Sequence, residues 1–470
     1  MKKRNKENKM ISLIKKNKKE KIFAICMFMY GLVMLFIIPT WQTPDEYTHL
    51  QIIGKSIKNE EFAELIEDSM KLDYKRMIYN SSEKADISQQ LKAMVKKPDY
   101  STKDVKPKGI QLNIIKHFPS TVGILLGILL KLPTYWVLQL GEIFALLFYV
   151  FVCYNSMKLM PLKKELFAMV MLIPMALQQA GSIGYDAVLL PLCFFFVADV
   201  FYLKLEKEEI VLSDFLLLGL IEIIVFYIKM PYCLLILLIL ILPLEKIHVR
   251  IFKFKIDKER IKKCRIPMIT FLLVFVICGI YTLKDNFWIQ LVLGVLEEWK
   301  RTLYLVYQTV KVWHEFLIVS SIGNFGWLDT PINYGIAILV YIMFLLIAFV
   351  NGDEKENSLL SIWDRIVIWG TGILLTFFTT IALINHTIMV TLYGSEFVSG
   401  TYDLREALYQ IPYIGGVQGR YYIPFLILFF LPIPQIRRIN KKVSTMAVIT
   451  FEVCFLVYIL YVLFVRYWGC

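Results

Sequence analysis

The chain is 470 residues long, 57% hydrophobic, 14% aromatic and only 19% charged, with a mean hydropathy of +0.58. That is more apolar surface than one soluble core of this size hides, and repeated apolar runs of bilayer length point to a polytopic membrane protein whose spans are α-helical rather than barrel strands. The net charge of +13 does not imply nucleic acid, because the basic residues cluster beside apolar runs, as in cytoplasmic loops.

Residues 1–21 carry ten Lys/Arg against two acids, a basic cytoplasmic N-terminus. The following run, 22–40, lacks a small-residue cleavage site at Ile37-Ile38-Pro39-Thr40 and is expected to be retained as a signal anchor. It opens onto Thr43-Pro44-Asp45-Glu46-Tyr47-Thr48-His49, which begins the first outer loop, 41–119, with 13 Lys/Arg and 12 Asp/Glu. Thr43 is placed to cap a helix, with Pro44 at its first position and Glu46 where a capping box wants an acid. The cap explains Asp45 and His49 less well, and these stand one helical turn apart on one face. Residues 44–79 have the spacing of an amphipathic helix, 80–109 read as polar loop, and 120–132 as a helix at or in the outer interface, too short to span.

Ten further spans are expected at 134–157, 165–181, 187–203, 212–228, 231–244, 267–283, 334–350, 366–392, 421–434 and 444–465, giving an all-α bundle of about eleven. With the N-terminus inside, alternation places Lys158, Lys163 and Lys164, Lys204 and Lys207, the block 245–265 with its nine Lys/Arg against three acids, Arg365 and the 437–442 cluster on the cytoplasmic side. The outer side then also holds 284–333 and 393–420. The catalytic domain is taken as 22–435, with 436–470 a basic loop and a last helix. The eight cysteines lie mostly inside apolar runs and include no CxxC, so neither a disulfide framework nor a structural zinc is expected.

Several polar residues stand at or inside these spans. Asp186 begins one, where an N-cap would also explain it. Lys229 sits before Pro231, where it could equally snorkel to headgroups. Glu142 and Glu222 lie within spans, and an ionisable group there marks function or pairing by default. Arg420, after the glycines of Gly415-Gly416-Val417-Gln418-Gly419, is planted at the mouth of a short span, where a guanidinium suits a lipid phosphate.

Four segments in order, Pro44-Asp45-Glu46 with His49, Ser182-Ile183-Gly184-Tyr185-Asp186-Ala187, Gly326-Trp327-Leu328-Asp329-Thr330-Pro331 and Val417-Gln418-Gly419-Arg420-Tyr421, resemble a domain-of-unknown-function family of bacterial multi-span proteins grouped with the GT-C glycosyltransferases. Lys229-Met230-Pro231-Tyr232 resembles its lysine-proline-tyrosine segment, and the likeness runs over roughly 20–435. His117 stands where an aromatic residue is expected, and Glu142 where arginine is commoner. The resemblance implies a GT-C-like bundle in a bacterial plasma membrane. It implies an enzyme, facing outward, that takes a sugar from a polyprenyl-phosphate carrier to a cell-surface glycan, teichoic acid or lipid-linked acceptor. Asp45 would be the general base and Glu46 its substitute. His49, Asp186, Lys229, Asp329, Gln418, Arg420 and Tyr421 would bind substrate. No metal or other cofactor is required by that scheme, because Arg420 and Lys229 meet the phosphate charge. The rival readings are a transporter or flippase of lipid-linked glycan, which would use Glu142 and Glu222, and an oligosaccharide ligase or polymerase.

Overall fold

A backbone in lipid must satisfy its own amides, and the apolar runs accordingly wind into helices. The computed structural model describes residues 18–70, 84–251, 254–256, 287–351, 359–393, 404–435, 437–438 and 441–469. In chain order the helices are α1 (Lys18–Ile37), α2 (Glu46–Ser56), α3 (Phe62–Met70), α4 (Ile87–Val95), α5 (Phe118–Leu129), α6 (Thr134–Leu159), α7 (Lys164–Met171), α8 (Pro174–Ala180), α9 (Asp186–Leu205), α10 (Leu212–Ile228), α11 (Phe287–Glu297), α12 (Trp299–Ile322), α13 (Tyr334–Phe349), α14 (Ile362–Ile381), α15 (Ile384–Tyr393), α16 (Leu404–Gln410) and α17 (Lys441–Tyr467). Three 3₁₀ segments matter to the site: Leu112–His117, Met230–Ile241 and Gly419–Phe429.

Six of the described helices are long and apolar enough to cross a bilayer: Lys18–Ile37, Leu112–Leu129, Thr134–Leu159, Asp186–Leu205, Ile362–Leu392 and Thr445–Tyr467. The chain is thus a multi-pass membrane protein, but the expected eleven spans are not reached among the described residues. The run 165–181 is broken into α7 and α8, because Pro174 supplies no amide hydrogen to carry the helix through. The runs 231–244 and 421–434 are wound as 3₁₀ helices, and 267–283 lies outside the described residues.

The first loop also departs from expectation. The helix over 44–79 stops at Ser56 and restarts at Phe62, with Lys58 in the left-handed region at φ 56°. Asn59 holds the break by donating its side-chain amide to the Asp104 carbonyl at 2.7 Å. Residues 71–79 lie outside the described residues. The supposed loop 80–109 contains α4, capped by Asp86, whose carboxylate accepts from Ser88 N and Gln89 N. Residues 118–129 form α5, which packs along α6. Gly123 and Gly127, four apart, seat α5 directly on α6: a Cβ on Gly123 would stand 2.2 Å from the Leu140 carbonyl oxygen. Small residues at this spacing let membrane helices approach at backbone distance.

The bundle has two chemically different ends. At one, the basic turns are linked: Lys164 pairs with Glu20 at 3.2 Å and Lys204 with Asp364 at 2.9 Å. Lys163 donates to the Phe430 and Ile433 carbonyls, and Arg365 to the Pro432 carbonyl. The expected cytoplasmic turns therefore do meet at a common end. The other end gathers Thr43-Pro44-Asp45-Glu46, Asp186, Lys229 and Arg420. There the last helix is clasped in, with Trp468 Nε1 donating to the Ile37 carbonyl and Ala85 N to the Tyr467 carbonyl.

Candidate functional site

Asp45 is the residue that precedes α2, and it sits in the left-handed region at φ 69°. Aspartate tolerates that conformation better than most residues. The conformation has a consequence: the carboxylate caps no helix amide. The helix therefore starts at Glu46, after a turn, rather than at Pro44 behind a Thr43 cap. What survives of the capping box is its return half, with Thr43 N donating to Glu46 Oε2 at 3.4 Å.

The Asp45 carboxylate, 60% exposed, faces the guanidinium of Arg420, 7% exposed, with Oδ2 3.9 Å from Nη2. The two groups come from opposite ends of the chain. Arg420 is delivered by Gly419, whose missing side chain is required: a Cβ there would lie 1.9 Å from the Leu317 carbonyl oxygen of α12. Gly419 N also donates to Ser320 Oγ at 2.8 Å. Arg420 Nη1 donates to Gln179 Oε1 at 3.0 Å. Its Nε, the Gln179 Nε2 and the Gln418 Oε1 are buried with no hydrogen-bond partner among the described residues. Buried polar groups without partners are costly and uncommon in native structures.

Lys229 stands beside them, its Nζ 3.7 Å from the centroid of the Tyr421 ring and 5.3 Å from that of Tyr232. Its ammonium faces the site rather than snorkelling away. Burial pushes its pKa down to about 8; Arg420 pushes the same way and Asp186 resists. Tyr232 donates its hydroxyl to the Tyr421 carbonyl at 2.7 Å, which fixes the lysine-bearing segment to the arginine-bearing one. Asp186, the first residue of α9, acts electrostatically on His49, Lys229 and Arg420 together. It is the second carboxylate of the site.

His49 packs between His117 and Tyr185. Its Nδ1 lies 3.0 Å from His117 Nε2, and its ring meets Tyr185 edge-on at 5.1 Å. Burial lowers the pKa of His49, opposed by Asp186 and Asp45 and aided by Arg420. Glu46 is buried behind Asp45, not beside it. Its carboxylate accepts from Thr43 N and from Ile183 N, each at 3.4 Å. It ties the start of α2 to the Ser182–Tyr185 turn, and burial raises its pKa to about 7 against the pull of those amides.

Asp329 is placed differently from the other expected ligands. It lies in the turn of a small hairpin, Asn324–Phe325 paired with Thr330–Pro331, and its carboxylate accepts from Arg466 at 2.8 Å and from Thr330 Oγ1 at 3.3 Å. Thus Asp45, His49, Asp186, Lys229, Gln418, Arg420 and Tyr421 converge, Glu46 supports them, and Asp329 anchors the last helix. Two partners were not foreseen. Gln179 was hidden in an apolar run, although an adjacent glutamine pair in such a run is itself a signal. His117 stands in the sequence as a departure from an aromatic residue and without metal-ligand spacing to another histidine, and neither feature points to its contact with His49. Among the described residues, no group of three or more His, Cys, Asp or Glu side chains that could hold a metal ion is found.

The chain matches the family described as "Predicted membrane protein (DUF2142)" over residues 26–429 and belongs to it. No curated protein and no solved structure matches it.

Proposed function

We propose that this member of the DUF2142 membrane-protein family is a glycosyltransferase of the GT-C type, working at the outer face of a bacterial plasma membrane. Its donor is a sugar carried on polyprenyl phosphate. Its acceptor is a hydroxyl of a surface glycan, a teichoic acid or a lipid-linked oligosaccharide. The observation that carries this reading is the meeting of an exposed carboxylate, Asp45, with a buried guanidinium, Arg420, at 3.9 Å.

In this scheme Asp45 takes the proton of the acceptor hydroxyl as that oxygen attacks the anomeric carbon. The bond from that carbon to the phosphate oxygen breaks, and the electron pair leaves with the lipid phosphate. Arg420 and Lys229 neutralise the departing charge, and the burial of the Arg420 guanidinium strengthens its effect. Arg420 suits the task because its Nε has no partner among the described residues and Gln179 holds one end of the guanidinium in place. Asp186 and His49 orient sugar hydroxyls. Tyr421 and Gln418 frame the phosphate. A single displacement inverts the anomeric centre. No step runs through a metal.

The test is transfer in vitro from polyprenyl-phosphate sugars by the purified protein and by Asp45→Asn. Removal of a general base costs ~10²–10⁴-fold in rate, with donor binding retained. An Asp45→Asn variant that transfers at the wild-type rate would sink the assignment. Mass spectrometry of surface glycan from cells with and without the protein separates the rivals. Loss of one monosaccharide fits transfer, and loss of a whole polymer fits a ligase or polymerase. Normal glycan trapped on the inner leaflet fits a flippase.

A further inference from the structure

Behind Asp45, where α1 ends, a small cavity is walled by Gly31, Met34, Thr43, Glu46, Glu142 and Gln178, among others, none of them basic. Its free volume of about 10 Å³ is roughly that of one water-sized sphere. Glu46 and Glu142 are each 4% exposed and Gln178 is 3% exposed. Glu46 comes from α2, Glu142 from α6 and Gln178 from α8, so three separate elements bring oxygen-bearing side chains to the wall of one void. Gln178 donates its amide to the Gly326 carbonyl at 3.5 Å, and its Oε1 is buried with no partner among the described residues. Glu142 Oε2 accepts from Gln139 Nε2 at 3.0 Å, and Gln139 Oε1 is likewise without a partner. Two acids in so enclosed a place repel one another unless something positive lies between them.

We propose that this cavity binds one hard divalent cation, of the calcium or magnesium class, between the carboxylates of Glu46 and Glu142 and the side-chain carbonyl of Gln178. The donors are all oxygen, with no thiolate or imidazole on the wall, which is the chemistry of hard cations. Two carboxylates match the charge of a divalent ion. The amide hydrogens of Thr43 and Ile183 continue to occupy other lone pairs of Glu46. The ion is structural: it staples α2 to α6 and α8, and so fixes the turn that aims Asp45. It takes no part in sugar transfer and does not depend on the transferase reading.

The test uses the full-length protein in detergent, stripped with EDTA and returned to millimolar calcium, magnesium or manganese. The expected results are a saturable rise in melting temperature of several degrees and one ion per chain by equilibrium dialysis with radioactive calcium. Glu142→Gln keeps the shape and the bond to Gln139 but removes a charge, and should abolish both effects. Should that variant fail to fold, Gln178→Leu provides the second reading, with ion affinity falling at least tenfold. Identical melting curves with EDTA and with all three ions, together with no bound calcium, overturn the proposal and leave a proton shared by the two acids. So does a shift that survives in Glu142→Gln, which would place the ion elsewhere.

Discussion

The side chains of the site divide into those that face the cleft and those that hold them. Arg420 faces it, and its removal tests the phosphate role. Arg420→Ala should weaken donor binding by about 1.5–3 kcal/mol, or roughly ten- to a hundredfold in Kd, as expected for a lost bond to a charged group. Arg420→Lys should recover only part, because an ammonium lacks the planar fork. Unchanged donor affinity in the alanine variant would remove Arg420 from the site. Lys229 gives a pH prediction. Its folded pKa, pushed down from 10.5 to about 8, means that the ammonium is charged below that pH and neutral above it. Donor affinity should therefore fall as pH rises through about 8. Lys229→Arg, charged throughout, should flatten that fall; a profile unchanged by the substitution would show that another group titrates. Asp45 and Arg420 were legible in the sequence because each is a charge where an apolar run meets a polar one. Glu46 was legible only as an acid. Nothing local told that its carboxyl turns inward, since this follows from the left-handed turn at Asp45 and the position of Ile183.

At the scale of elements, glycine decides where the site can form. Gly419 lets the arginine segment touch α12. Gly419→Ala would drive a methyl group into the Leu317 carbonyl, 1.9 Å away, a backbone atom that cannot swing aside. The cost should be at least the 1–3 kcal/mol typical of overpacking, seen as a lower melting temperature together with weakened donor binding. A variant that lost neither would mean that α12 yields easily. The long apolar helices were legible from hydropathy, and α6, α9 and α17 lie close to where periodicity placed them. Two kinds of element were not. The docking of α5 on α6 rests on Gly123 and Gly127, and the apolar character of the run does not report which neighbour those glycines face. The break at Asn59 was invisible because the hydrophobic spacing of Leu50, Ile53, Ile57, Phe62 and Ile66 runs on across it.

In the whole molecule, the last helix packs into the same bundle as the rest, although the family match ends at residue 429. It packs on α1, and Arg466 at its end holds Asp329 at 2.8 Å. Arg466→Ala leaves that carboxylate without its cation and should destabilise the protein by roughly 3 kcal/mol, the scale of breaking one side of a largely buried pair. The melting temperature should drop while Kd for the donor changes little; a variant that melts normally would show the clasp to be dispensable. The overall architecture was readable as a helical bundle with basic turns at one end, because charge distribution around apolar runs reports topology. The number of crossings was less readable, and the reason lies in the winding of Met230–Ile241 and Gly419–Phe429. A 3₁₀ coil climbs about 2.0 Å per residue against 1.5 Å for an α-helix, so a dozen residues reach about 24 Å instead of about 18 Å. At that rise the 12 residues of Met230–Ile241 and the 11 of Gly419–Phe429 reach further than α-helical segments of the same length would. The same two stretches bear the lysine and the arginine at their leading ends. The winding of each stretch thus sets how far its positive charge stands from the far end of its own segment.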